Sequence, residues 1–150
     1  SINSAAVKNP ALIRQMSGEF GSQCVVLAID TRHETDGWKV YVHGGRTPTP
    51  RFALDWALEA ERLGAGEILL TSMNHDCAKT GFAIDITQAV SQAVNIPVIA
   101  SGGAGAAEHF KEVFERTEAS AALAAGIFHF GEISIPEVKQ YLRNQNIPVR

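Results

Sequence analysis

Four short apolar runs, each followed by a helical segment, constrain this 150-residue chain more than any other feature. The runs contain many β-branched residues and are too short for buried helices, which is typical of parallel strands covered on both faces. They are Cys24–Asp30, Glu67–Ser72, Pro97–Ser101 and Ala121–Ala125. The alternation predicts an α/β protein with four βα units in a single domain over residues 1–150.

Caps and periodicity place the helices and one hairpin. We predict helices over residues 9–20, 49–63, 84–94 and 106–116, and a last helix that begins at Ser134. The spacing of Ser134 and Glu137 predicts a capping box. Asp36-Gly37 predicts a turn before a hairpin strand at 38–42, and Ser1–Asn3 could be the tail of a further strand.

Composition and charge exclude several classes of protein. The net charge of −3 argues against a nucleic-acid binder, and no apolar run is long enough to span a membrane. The chain shows no secretory signal, and its two cysteines, Cys24 and Cys77, form no disulfide framework. We therefore expect a cytoplasmic protein. The chain carries neither a dinucleotide fingerprint nor a Walker loop, and we expect no cofactor.

Polar residues follow the predicted strands, where an open doubly wound sheet and a (β/α)8 barrel both bind their ligands. Ser101-Gly102-Gly103-Ala104-Gly105 precedes a helix, so its backbone N–H groups could bind a phosphate. The same glycines could instead serve only a tight strand-to-helix turn.

Two aspartates and the histidines are the candidates for chemistry. Asp30 ends an apolar strand. A carboxylate in that place could act as a general acid or base, or it could cap the turn that follows. Asp76 alone is better explained by loop ordering. His75, Asp76 and Cys77 lack the further ligands of a zinc site, so we predict no metal. The remaining histidines are interpreted as solvated hairpin residues, at 33 and 43, and a helix-surface residue, at 109.

Five segments together resemble the cyclase subunit of imidazole glycerol phosphate synthase, at that family's order and spacing. They are Ser1–Val7, Val26–Asp30, Gly64–Ser72, Ile99–Gly105 and His109-Phe110. The resemblance implies a (β/α)8 barrel of which this chain is the C-terminal half, beginning inside the fourth strand. In that family, ammonia from a partner glutaminase reacts with a ribulosyl aminoimidazole carboxamide bisphosphate to give imidazole glycerol phosphate and an aminoimidazole carboxamide ribotide.

The resemblance also assigns roles to single residues. Asp30 matches one of the family's two acid–base aspartates, and Asp76 matches a supporting one; the other acid–base aspartate belongs to the missing half. The phosphate loops match Ser101, Gly102, Gly103, Ala125 and Gly126, and the pocket after the fourth strand matches Asn3 and Ser4. Two departures remove hydroxyls: Asp76-Cys77-Ala78 replaces Asp-Gly-Thr, and Gly126 replaces a common Ser.

Four βα units cannot close a barrel, because two edges and an apolar inner face stay unpaired. We predict a homodimer that completes the barrel and places two copies of Asp30 at one mouth. Two hypotheses follow. In the first, the chain is a cyclase-type lyase. It would act as a dimer, or together with an N-terminal half-barrel or a glutaminase subunit. Alternatively, it is a self-associating half-barrel that retains phosphate binding without turnover.

Overall fold

The computed structural model describes all 150 residues and contains one sheet of six strands. The strands are β1 (Val26–Glu34), β2 (Gly37–Val42), β3 (Thr47–Phe52), β4 (Glu67–Ser72), β5 (Val98–Ser101) and β6 (Ala121–Leu123). They lie in the order β3-β2-β1-β4-β5-β6. β1, β4, β5 and β6 are parallel, which confirms the predicted parallel α/β sheet, whereas β2 and β3 add an antiparallel extension beside β1.

Seven α-helices accompany these strands, and the first two of them precede β1. They are α1 (Ser4–Lys8), α2 (Ala11–Phe20), α3 (Ala53–Leu63), α4 (Ile84–Ala93), α5 (Ala107–Arg116), α6 (Gly126–His129) and α7 (Ile135–Asn144). The capping box before α7 is confirmed, since the Ser134 side chain accepts from the Glu137 N–H and Glu137 accepts from the Ser134 N–H. The short helices α1 and α6 were not predicted.

The helix predicted to begin at Thr49-Pro50 was placed wrongly, because residues 47–52 form β3 and the helix starts at Ala53. β3 is an edge strand. An edge strand tolerates proline, which cannot donate a ladder hydrogen bond, so Pro48 and Pro50 are compatible with strand here. The edges of the sheet are β3 and β6.

The N-terminal segment pairs with the first half of β1. The Ile2 N–H donates to the Val26 carbonyl at 2.9 Å, and the Ile2 carbonyl accepts from the Ala28 N–H at 2.8 Å. This isolated parallel bridge confirms that the segment is strand-like. β2 takes over the same edge from Asp30 onward, so both halves of this side of β1 are covered.

The core lies on one face of the sheet only. Leu27, Ile29, Ile68 and Leu70 point into it and are buried together with residues of α2, α3 and α4, including Trp56. A second cluster joins β5 to α5, α6 and α7 through Ala100, Phe110, Val113, Ile127, Val138 and Leu142. The alternate residues of β1, β4 and β5 are only partly buried, because no helix covers their face. None of the helices has the length and apolar content needed to cross a membrane.

Candidate functional site

One row of side chains crosses the open face at the carboxyl ends of the parallel strands. Asp30 is in register with Thr71, Thr71 with Ser101, and Ser101 with Leu123. Residues in register on neighbouring parallel strands project from the same face of a sheet. The fold therefore places Asp30 and Ser101 on one surface, with Thr71 between them.

Asn3 is the direct partner of Asp30. The Asn3 Nδ2 donates to Asp30 Oδ2 at 2.9 Å, across 27 residues of sequence. The Asn3 Oδ1 is buried and has no hydrogen-bond partner within the chain. Ser4, the other predicted residue of this segment, accepts a hydrogen bond from the His43 N–H at 2.8 Å and so fastens the end of β2.

A second polar pair lies beside Asp30 on β1 and β2. Tyr41 is the cross-strand neighbour of Asp30 and is buried. Its hydroxyl donates to the Glu34 carboxylate, and this hydrogen bond raises the pKa of Tyr41. The Arg32 guanidinium lies 5.3 Å from the centre of the Tyr41 ring. A charged and hydrogen-bonded wall therefore flanks Asp30 on the side of the hairpin.

Asp76 lies in the loop after β4 and is exposed. No hydrogen bond joins its carboxylate to Asp30 or to any other group of the chain, so its predicted supporting role stays a prediction. The adjacent Cys77 has a φ of 61°, which is left-handed backbone that favours glycine. The glycine that the resembled family carries at this position suits that conformation better than cysteine does.

Gly102 and Gly103 are buried and tightly enclosed by the loop after β4. Their φ angles are 87° and 110°. A Cβ on Gly102 would lie 2.5 Å from the Ser72 carbonyl oxygen, and one on Gly103 would overlap the Gly81 carbonyl oxygen. These contacts support the tight-turn interpretation of the glycines. The N–H groups of Gly102, Gly103 and Ala104 nevertheless donate no hydrogen bond within the chain, so three donors before α5 have no partner in it.

His109 is the site residue that the sequence interpretation missed. It is partly buried, and its Nδ1 accepts a hydrogen bond from the Gly105 N–H at 3.0 Å. The prediction placed His109 on the helix surface and did not include this contact. A histidine four positions after a glycine has no fixed meaning in sequence, so no local pattern could have indicated this contact. His33 and His43 are exposed, as predicted.

The loop after β6 supplies the last two predicted positions. Ala125 precedes α6 and accepts a hydrogen bond from the His129 N–H at 2.8 Å, while Gly126 is the first residue of that helix. Both are exposed. A Cβ at position 126 would meet nothing within 4 Å, and the φ there is not left-handed. The serine that the family commonly carries would therefore fit without strain.

Comparison with known proteins decides the family of this chain. The profile described as "Histidine biosynthesis protein" matches residues 1–134. The chain belongs to that family. The imidazole glycerol phosphate synthase subunit HisF of Hydrogenobaculum sp. is 60% identical over 151 residues, which cover all of this chain. The subunits of the same name from Lysinibacillus sphaericus and Clostridium botulinum are 58% and 55% identical over the whole chain.

These matches confirm the resemblance found in the sequence. The chain spans about 60% of the length of the curated relatives it matches. The parallel strands, with their helices on one face, agree with part of a (β/α)8 barrel.

Proposed function

We propose that this member of the histidine biosynthesis protein family supplies the C-terminal half of a cyclase active site. Asp30 acts in it as one of two acid–base carboxylates, and a ribulosyl aminoimidazole carboxamide bisphosphate is the substrate. The observation that carries the proposal is the shared row of Asp30, Thr71 and Ser101 at the carboxyl ends of the parallel strands.

The chemistry suits a carboxylate in that position. Addition of ammonia to a carbonyl carbon and closure of an imidazole ring both require protons to be moved between nitrogen and oxygen atoms. A carboxylate held in place can accept and return such protons. The amide of Asn3 fixes one Asp30 oxygen at 2.9 Å and leaves the other to face the substrate. Asp76 would support the reaction from the loop after β4.

One substrate phosphate would bind between the loops after β5 and β6. The unpaired N–H groups of Gly102, Gly103 and Ala104 point to an anion, and the α5 N-terminus adds positive potential. Ser101 lies at the edge of this site, and Ala125 and Gly126 complete it from the other loop. Asn3 and Ser4 would line the far end of the pocket.

The open face of the sheet must be covered for such a site to exclude water. We propose that a second copy of the chain covers it, so that two half-barrels form one mouth with an Asp30 on each side. Because Ile2 already occupies the edge of β1, the β6 of the second copy would pair with residues 1–3 or displace them. The other candidate cover is an N-terminal half-barrel of the same family, and a glutaminase partner and a cytoplasmic location stay predictions.

Turnover with and without Asp30 tests the proposal. The chain is assayed alone and mixed with a separately produced N-terminal half of the Hydrogenobaculum relative, with ammonium as the nitrogen source and ³¹P spectra as the readout. We expect Asp30→Asn to lower the rate by at least about a hundredfold. The matched control is Asp55→Asn, an exposed aspartate on α3, which should leave the rate unchanged.

Two results would count against the cyclase. Equal rates for wild type and Asp30→Asn would remove Asp30 from the chemistry. No turnover in any mixture, with phosphate binding retained, would favour the alternative of a non-catalytic half-barrel.

A further inference from the structure

Residues 102–105 form the loop before α5, here called the glycine loop. Among their backbone N–H groups, only that of Gly105 donates a hydrogen bond within the chain. It donates to His109 Nδ1 at 3.0 Å. A backbone N–H can only donate, so Nδ1 must be the unprotonated acceptor and the ring proton lies on Nε2. His109 therefore ties the loop to the first turn of the helix that follows it.

The same imidazole lies against the loop after β4. Its Cδ2 is 3.7 Å from the position that a Cβ on Gly81 would occupy. Gly81 in turn donates its N–H to the Gly103 carbonyl at 2.9 Å, and Gly105 is packed on the Lys79 backbone so closely that a Cβ would lie 2.6 Å from the Lys79 oxygen. The loop after β4 and the loop before α5 are thus packed and hydrogen-bonded to each other, and His109, on α5, contacts both.

We propose that His109 is a positioning residue for the phosphate site, an inference that rests on the proposed function. By accepting from Gly105, it fixes the end of the glycine loop. The unpaired N–H groups of Gly102, Gly103 and Ala104 are then held in a single arrangement before the ligand arrives. Without the acceptor, the Gly105 N–H loses its partner. The loop must then be ordered when phosphate binds, and the free-energy cost of this ordering weakens the binding.

Phosphate affinity in two His109 variants tests this role. Inorganic phosphate is titrated into the whole chain by calorimetry. His109→Phe keeps a ring but no acceptor, and we expect binding about threefold to tenfold weaker, as for the loss of one hydrogen bond. His109→Asn offers a side-chain carbonyl near the place of Nδ1 and should bind within about twofold of wild type. His33→Ala, which removes an exposed imidazole without a hydrogen bond, is the matched control.

A second readout follows the Gly105 amide without any ligand. In ¹⁵N-labelled protein, its proton should exchange faster in His109→Phe than in wild type and in His109→Asn, while the exchange of core amides stays unchanged. Equal phosphate affinity in wild type and His109→Phe would overturn the inference and leave the phosphate site standing. Equal impairment of the Phe and Asn variants would also overturn it. Absence of phosphate binding to wild type would instead remove the proposed site, and the exchange experiment would still decide whether His109 holds Gly105.

Discussion

The side-chain amide of Asn3 donates to the carboxylate of Asp30 at 2.9 Å, and the two residues are 27 positions apart. Asn3 belongs to the segment that pairs with β1 through Ile2, whereas Asp30 lies on β1 itself. The pairing of main chains therefore sets the distance between the two side chains. An aspartate that points to an open face is in this way held in one orientation.

Removal of the Asn3 amide should impair the proposed reaction without unfolding the chain. In Asn3→Ala, Asp30 loses its orienting donor, so we expect kcat to fall about tenfold with KM within about threefold of wild type. The readout is turnover of the mixed half-barrels described above. Asn144→Ala, at the exposed end of α7, is the control. An unchanged kcat would show that Asn3 does not position Asp30.

An added side chain should destabilise the fold at Gly103, in the loop after β5, but not at Gly126, in the loop after β6. Gly103→Ala introduces a Cβ at a φ of 110° and against the Gly81 carbonyl, so we expect a loss of at least about 2 kcal/mol in the free energy of unfolding. Gly103 is therefore a poor probe of phosphate binding, because its substitution alters the fold as well.

Gly126→Ser is the useful counterpart. Position 126 has open space, so the free energy of unfolding should change by less than about 0.5 kcal/mol. The new hydroxyl should tighten phosphate binding about threefold to tenfold. Gly126→Ala provides the matched control, since it adds the Cβ without the hydroxyl. Equal affinities for the Ser and Ala variants would place the phosphate away from this loop.

Self-association should depend on the open face at β6. Leu123 is 43% exposed and ends the row that begins at Asp30. We expect light scattering to give the mass of two chains for wild type and of one chain for Leu123→Arg, because a charge on this face opposes its burial. Phe20→Arg is the control, since Phe20 is 60% exposed on α2, away from the β6 edge.

A wild-type mass of one chain at all concentrations would contradict the second copy as the cover. Addition of the N-terminal half of the relative would then be the remaining way to complete the barrel.

The capping box of α7 should give a stability difference that depends on pH. Hydrogen bonding to the Ser134 side chain and, next, to its backbone N–H lowers the pKa of Glu137 from its ordinary value of 4.5. A carboxylate whose pKa is lower in the folded protein than in the unfolded one stabilises the fold at pH values above the pKa of the unfolded state. This contribution is lost as the pH falls through the pKa of the folded state. The denaturation midpoints of wild type and Glu137→Gln should therefore differ at pH 7 and converge below pH 4.5.

Glu19→Gln is the control for that comparison, since Glu19 is exposed on α2 and its carboxylate makes no hydrogen bond or ion pair. A midpoint difference that is the same at pH 7 and pH 3 would show that the Glu137 charge has no part in the cap.

The sequence alone determined the alternation of strands and helices, the helix caps and the glycine turn after β5. These features depend on residues within a few positions of one another, where propensity and periodicity act directly. Local preference misplaced the start of α3, because Thr49-Pro50 suits a helix N-terminus as well as an edge strand. The strand is formed here because residues 47–52 pair with β2 at the edge of the sheet, a contact that the local sequence does not show.

The contacts of the candidate site were decided by tertiary structure. Asn3 meets Asp30 because the N-terminal segment pairs with β1, and Thr71 joins the row with Ser101 because three parallel strands share one register. His109 lies close to Gly105 in sequence, yet its role depends on the loop after β4 that encloses both. The sequence named the residues that could do chemistry. Their partners came from pairing between distant segments, which no local pattern encodes.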